Sequence, residues 1–138
     1  MMATFQLELV SPEKLLLSRA VEMVVIPAAE GEMGVLPGHA AMIVTLRGGT
    51  IRVVDGGKDA ERLFVAGGFA EVTPERVTIL ADEATPLAEL SKAEAERRIV
   101  EAEAAYGLIT AEDPIEKREA ALATLLAMRT MRDVAEAA

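Results

Sequence analysis

The 138 residues include no cysteine and no tryptophan, and only one histidine, one tyrosine and three phenylalanines. Without cysteine there is no disulfide framework and no thiolate metal site, which is compatible with a reducing compartment. A lone histidine is a poor start for zinc, which wants at least three well-placed ligands; only Glu30, Glu32 or a distant carboxylate could join His39, and no metal is expected. The same scarcity argues against a cupin-like or carbohydrate-binding β module with a helical tail, whose pocket would be lined by several histidines or by tryptophan and tyrosine. Positive charge is short as well: 14 Lys and Arg stand against 23 Asp and Glu, a net charge of -9. Phosphate backbones and anionic lipid are repelled by such a chain, so neither nucleic-acid binding nor electrostatic membrane docking is expected, and a protein surface is the expected partner.

Long apolar runs are also missing. The longest, Met23 to Ala29, falls far short of the roughly 20 residues that span a bilayer, so no direct membrane insertion is expected. The opening MMATFQLELVSPEK has neither a basic n-region with an apolar core nor an Arg- and Ser-rich amphipathic pattern, and is expected to be neither a secretory signal nor a transit peptide. There is no G-x-S-x-G nucleophile elbow. The one Gly-rich stretch lacks the Lys-Ser/Thr of a phosphate loop. No catalytic residue and no cofactor are expected from these motifs.

What is present is a hydrophobic content of 51%, enough for a chain of this length to bury about two-thirds of its unfolded surface. Phe5, Leu7 and Leu9 alternate with Thr4, Gln6 and Glu8, as a half-buried strand requires. Further strands are expected at Ala20 to Ile26, Met42 to Leu46, Thr50 to Val54, Arg62 to Ala66, Phe69 to Val72 and Val77 to Ala81. Gly48-Gly49, Asp55-Gly56-Gly57, Gly67-Gly68 and Thr73-Pro74-Glu75 supply the reversals between them. After Pro86 glycine nearly vanishes and Ala, Glu, Leu and Arg dominate, which favours helix.

Ser91 to Glu94 reads as a capping box with the Glu94 carboxylate reaching back. Ala95, Ile99, Ala102 and Tyr106 follow at helical spacing, with Gly107 expected as a left-handed C′ residue. A second helix is expected from Asp113 as N-cap, with Pro114 and Glu116 in its first turn, to about Glu136. The expected fold is therefore α+β with segregated parts. An antiparallel β-sandwich at residues 1–86 precedes an antiparallel two-helix hairpin at 87–138 that must lie on the sandwich, on a partner, or alternate between them.

The most unusual stretch is Glu30 to Ala40, EGEMGVLPGHA, a turn-rich segment carrying charge and a small apolar tip. It resembles the E-G-x-x-G-x-x-P-G-H signature of the ε subunit family of F-type ATP synthases. The resemblance continues in Val10-Ser11-Pro12-Glu13, in Val65 to Val72 and in Val77 to Ala84, and it covers the whole chain, including the order of sandwich then hairpin.

The resemblance implies a non-catalytic central-stalk rotor part of a proton-translocating complex, peripheral on the cytoplasmic face of the bacterial inner membrane. Its sandwich would clamp the γ subunit and sit on the polar loops of the c-ring. By the same resemblance Glu30 and Glu32 face the c-ring, with Glu32 paired to a basic loop residue and Met33 and Val35 in apolar contact. Ser11, His39 and Val44 fall near γ or the ring. For His39 the alternative is that its imidazole only satisfies nearby backbone groups.

The hairpin is implied to be regulatory. ATP-binding members carry Asp-x-x-Arg-Ala at the start of the first helix, where this chain has Glu89-Leu90-Ser91-Lys92-Ala93. The second-helix arginines of those members fall on Leu126 and Thr130. Glu89 and Lys92 remain as weak ATP-site candidates, since lysine lacks the bidentate fork of arginine.

On the second helix Arg118, Leu122, Leu125, Arg129 and Arg132 lie on one face by spacing. One reading packs the leucines on Ile99, Ala102 and Tyr106 while the arginines pair with Glu101 and Glu103. The other, implied by the family, turns this face toward a catalytic β or α subunit in an extended inhibitory form.

Overall fold

The computed structural model describes residues 3–137. Ten strands come first: β1 (Phe5–Val10), β2 (Leu15–Val21), β3 (Met23–Ala28), β4 (Gly31–Val35), β5 (Met42–Leu46), β6 (Gly49–Asp55), β7 (Lys58–Val65), β8 (Gly68–Val72), β9 (Arg76–Ala81) and β10 (Ala84–Pro86). A short 3-10 turn (Leu87–Glu89) leads into α1 (Lys92–Gly107) and α2 (Ile115–Ala137).

The strands form one hydrogen-bonded path, β10-β7-β6-β3-β5-β8-β9-β1-β2, with β4 on the other edge of β3. Strand β3 is the hinge between two leaves. Its first half pairs with β6, and its last residue, Ala28, meets Leu46 of β5. All pairings are antiparallel except β1 with β9, which run parallel. Alternation decides which side chains enter the space between the leaves: Phe5, Leu7 and Leu9 of β1, Val77 and Ile79 of β9, and Ile51 and Val53 of β6 are all buried there.

One expected strand is divided, and β7 begins at Lys58 rather than Arg62. The run Ala20 to Ile26 is split at Glu22, because the Glu22 N–H donates to Asp55 Oδ1 at 3.0 Å and its own Oε1 accepts from the Gly56 N–H at 2.6 Å. That residue serves the β6–β7 turn instead of a ladder. In the turn Gly56 and Gly57 both have positive φ (61° and 76°), the conformation a two-residue hairpin needs and glycine adopts freely. Strands β2, β4 and β10 were not expected: Leu15-Leu16-Leu17 does not alternate, and β4 carries two glycines.

The helices follow their start signals in part. Ser91 Oγ accepts from the Glu94 N–H at 3.2 Å, a cap worth about 1 kcal/mol. The Glu94 carboxylate does not complete the box, since it is taken by Arg97. Gly107 is not left-handed; α1 runs through it and ends on Leu108 in right-handed geometry (φ -84°). Asp113 is no N-cap either. Its Oδ2 accepts from Thr110 N–H at 2.9 Å, so it closes the interhelical loop, and the Pro114 carbonyl opens α2 by accepting from Lys117 N–H. Those bonds hold the Asp113 carboxyl below the usual range, the Thr110 backbone contact contributing most and Lys117 next.

The hairpin lies on the outer face of β7. Phe64, fully buried, points away from the sandwich core and packs with Ala95, Ile99, Ala102, Leu125, Met128 and Met131. This second core shares no residue with the one between the leaves.

One ion pair ties the two together: Arg98 donates from both terminal nitrogens to the two oxygens of Glu83, each at 2.6 Å. Arg98 pulls the Glu83 carboxyl below its ordinary range, against the opposing effect of burial. A carboxyl depressed on folding adds stability that is complete above its unfolded value of about 4.3 and is lost as pH falls through the lower folded value. Hairpin docking, followed by hydrogen exchange of α1 amides, is therefore expected to weaken as pH drops below about 4.3. Glu83→Gln is expected to remove that pH dependence; retention of it would put the titrating group elsewhere.

Candidate functional site

The residues singled out from the sequence do not form one cluster. Ser11 sits in the β1–β2 turn, where its N–H and hydroxyl both donate to the Lys14 carbonyl. Since Val10 pairs with Leu80, Ser11 lies at the far end of β9 from Pro74, whose carbonyl accepts from the Gly38 N–H. Ser11 and His39 are thus separated by the length of a strand. The His39 N–H donates to the Leu36 carbonyl, and its ring Nδ1 donates to the Ala40 carbonyl at 2.8 Å. The imidazole closes its own turn.

The stretch from Glu30 is not a bare turn. Gly31 to Val35 is a strand on the edge of β3, in register Ala28↔Gly31 to Val24↔Val35. Strand alternation then decides the side chains. Glu30 and Glu32 are exposed and take part in no ion pair among the described residues, while Met33 is half-buried against the core. Val35 is 1% exposed and sits in the core, so it cannot be the apolar contact expected at a turn tip.

Val44 fails for the same reason, being 7% exposed and turned inward. A residue one step away on a strand points to the opposite face, and it is Ile43, 73% exposed, that faces out. Ile43 belongs to a surface that sequence inspection missed. Thr45, Phe69 and Leu80 are cross-strand neighbours on β5, β8 and β9, and Val10 and Leu15 continue the row onto β1 and β2. Phe69 is 45% exposed and Leu15 55%. This outer face carries an apolar row across four strands, β8, β9, β1 and β2, with Ile43 of β5 at its flank. Contiguous exposed apolar area of that kind on a sheet marks a protein-docking surface. The signal was present in the sequence as Ile43, Phe69 and Leu80, each one register step from a buried neighbour.

The expected helix face is divided. Leu125 is buried in the hairpin core, where the buried line continues through Met128 and Met131, not along the arginines. Leu122 is half-exposed, and Arg118 donates to the Thr110 carbonyl at 3.2 Å. Arg129 pairs with Glu103 at 3.6 Å, and Arg132 with its neighbour Asp133. Glu101 pairs with Arg97 instead.

At the ATP-site candidates, a cavity of about 230 Å³ is lined by Glu83, Glu89, Ser91, Glu94 and Arg98 among others. Three carboxylates meet one guanidinium that Glu83 already holds, and Lys92 turns away to Glu136 at 3.3 Å. Such a lining is unfavourable for a polyphosphate. Among the described residues no group of three His, Asp or Glu side chains is arranged to hold a metal, and no helix is long and apolar enough to cross a membrane.

Residues 4–87 match the family described as ATP synthase, Delta/Epsilon chain, beta-sandwich domain. Over 134 residues the chain is 60% identical to the ATP synthase epsilon chain of Granulibacter bethesdensis, covering 97% of this chain and 98% of that one. It is 49% identical over 127 residues to the ATP synthase epsilon chain of Rhodospirillum rubrum, covering 92% and 93%.

Among solved structures, a chain of the Euglena gracilis mitochondrial ATP synthase OSCP/F1/c-ring assembly superposes with a TM-score of 0.72 at 28% identity, covering 95% of this chain and 81% of that one. A chain of the Tetrahymena thermophila mitochondrial ATP synthase central stalk and c-ring gives 0.68 at 13% identity, covering 97% and 98%, a likeness of fold alone.

Proposed function

The chain belongs to the ATP synthase delta/epsilon family, and on that premise we propose that it is a non-catalytic central-stalk rotor subunit. It couples c-ring rotation to the catalytic head through the γ subunit, and its C-terminal hairpin has a modest inhibitory role. The observation that carries the reading is the apolar surface over β5, β8 and β9, since Ile43 and Phe69 expose far more apolar area than a sheet meant for water. Glu30 and Glu32, exposed and unpaired, are the groups proposed to meet basic c-ring loops, with Met33 beneath them. Ser11 and His39 are proposed to shape the turns at the two ends of the γ-facing leaf. Location on the cytoplasmic face of the inner membrane, peripheral and held through the ring, follows from the same reading. Co-purification tests it: an affinity-tagged chain expressed in its own source is expected to bring down γ and the F1 head, and recovery of the chain alone would reject it.

The two regions are proposed to act separately, the sandwich in coupling and the hairpin in regulation. No helix residue enters the core between the leaves, so a chain ended after Pro86 is expected to fold, bind γ and support proton-driven ATP synthesis. Its solubility should fall because Phe64 loses its cover. Failure of the soluble fragment to bind γ would place the interface in the hairpin.

Glu32→Lys is expected to weaken attachment of F1 to stripped membranes by about 1 kcal/mol or less, as rim ion pairs do. The loss should be larger at low salt than at high salt, because exposed charges are screened. Equal loss at both would exclude an ionic role.

A further inference from the structure

The hairpin touches the sandwich at the Phe64 side chain and neighbouring Ala66, at the Glu83–Arg98 pair, on β6, and at the Arg47-Gly48 link between β5 and β6. The last is the tightest. A Cβ built on Gly48 would stand 2.7 Å from both Cα and Cβ of Ala127, in the middle of α2. Real Cβ contacts do not come so close, and the obstructing atoms belong to a helix backbone, which cannot swing aside as a side-chain tip can. Ala127 itself is 2% exposed.

The contact is flanked by open space on both sides. One groove of about 650 Å³ runs past Gly48 between α2 and the start of β8, and another of about 460 Å³ runs past it between α2 and the β3–β4 side. At Gly48, helix α2 therefore rests directly on sandwich backbone, whereas at Phe64 it rests on a side chain.

Nothing in the sandwich asks for glycine at this position. Gly48 does not have a positive φ, unlike Gly56, Gly57, Gly67 and Gly68, so an L side chain fits the local backbone. The three atoms nearest to an added Cβ all belong to Ala127. The glycine serves the helix, not the turn.

We propose that Gly48 is the position that admits the hairpin to the sandwich, and that any side chain there releases α1 and α2 while leaving the sandwich folded. The regulatory meaning of that release rests on the function proposed above; the docking role does not. Release also uncovers Leu125, Met128 and Met131 together with Phe64, the apolar groups that the docked hairpin covers. A side chain at 48 thus exposes the surface that a regulatory partner would have to meet.

Hydrogen exchange followed by mass spectrometry on the full chain, with Gly48→Ala, Gly48→Val and Ala127→Leu beside the parent, tests the docking role. Peptides from α1 and α2 are expected to exchange roughly tenfold faster or more in Gly48→Val and Ala127→Leu, with Gly48→Ala between, because overpacking against a backbone is relieved only by separation. Peptides from β1, β6 and β9 should keep the parental rates. Parental rates in the helices of Gly48→Val would overturn the proposal. So would equal loss of protection in β6 and β9, which would make Gly48 a residue of the sandwich. Ala127→Leu adds bulk from the helix side without touching the turn, so the two variants must agree. The same variants added to F1 separate the second question: helices released with inhibition of ATP hydrolysis unchanged would discard the regulatory reading and leave the role of Gly48 standing.

Discussion

Gly68→Ala is expected to strip the sandwich of a large share of its stability. Gly68 opens β8 with φ at +125°, and an added Cβ would stand 2.1 Å from the Leu80 carbonyl oxygen and 3.0 Å from Ala81 Cα on the paired strand β9. Neither neighbour can yield without breaking the β8–β9 ladder, which continues into the parallel β9–β1 pair. Backbone strain and overpacking each cost about 1–3 kcal/mol, so the sum is on the order of 4 kcal/mol. That is a large share of the roughly 5–15 kcal/mol a domain possesses. With a urea slope of about 2 kcal/mol per molar, the midpoint measured by circular dichroism should fall by about 2 M. Gly56→Ala, where φ is also positive but no atom lies within 4 Å, is the comparison: it should lose only about 1 kcal/mol, the cost of the conformation alone. Equal midpoints for the two variants would show that β8 moves off β9 without penalty.

The double substitution of Ile43→Asp and Phe69→Asp is expected to abolish γ binding while the chain keeps its fold. Both side chains point outward, 73% and 45% exposed, and neither belongs to the sandwich core. Burying two carboxylates where two apolar anchors stood costs on the order of 2 kcal/mol at each of two interface positions. About 4 kcal/mol is close to three orders of magnitude in affinity. Leu108→Asp is the control, since Leu108 is 80% exposed at the end of α1, far along the chain from that leaf. Titration calorimetry with purified γ should find the control unchanged and the double variant without measurable binding. Tight binding by the double variant would move the γ interface off this face.

How much was legible beforehand differed by element. Seven of the ten strands announced themselves as short apolar runs between turn signals, and α1 by its serine cap and its buried Ala95, Ile99 and Ala102. These signals are local, and local physics decides them. The missed strands are those whose partner imposes the conformation: β4 carries Gly31 and Gly34 and is held by β3, and β2 opens on three leucines that face no single direction.

The candidate site suffered for a related reason. Val35 and Val44 were chosen by likeness of motif, yet period two makes a neighbour of a surface residue a core residue, and only the register with β3 and β8 says which is which. On α2 the arginine-edged line was a true face of the helix. What rotated it away was the presence of Met128 and Met131 one step around, which fill the hairpin core with flexible volume. The Gly48 contact had no sequence signal at all, because Gly48-Gly49 reads as an ordinary reversal.

The parallel pairing of β1 with β9 bears on how the chain is made. Strands β1 and β2 are neighbours in sequence and can zip together as soon as both have left the ribosome. The other edge of β1, however, belongs to Arg76 to Leu80. Until that stretch is synthesised, the opening hairpin waits with one row of amide and carbonyl groups open to water and with Phe5, Leu7 and Leu9 uncovered. Long-range pairings of this sort hold two-state β proteins to milliseconds or longer, whereas a helical pair closes in microseconds. The N-terminal segment is thus among the first to acquire local order and among the last to be sealed, and in that interval it is the part of the nascent chain most in need of protection from other unpaired strand edges.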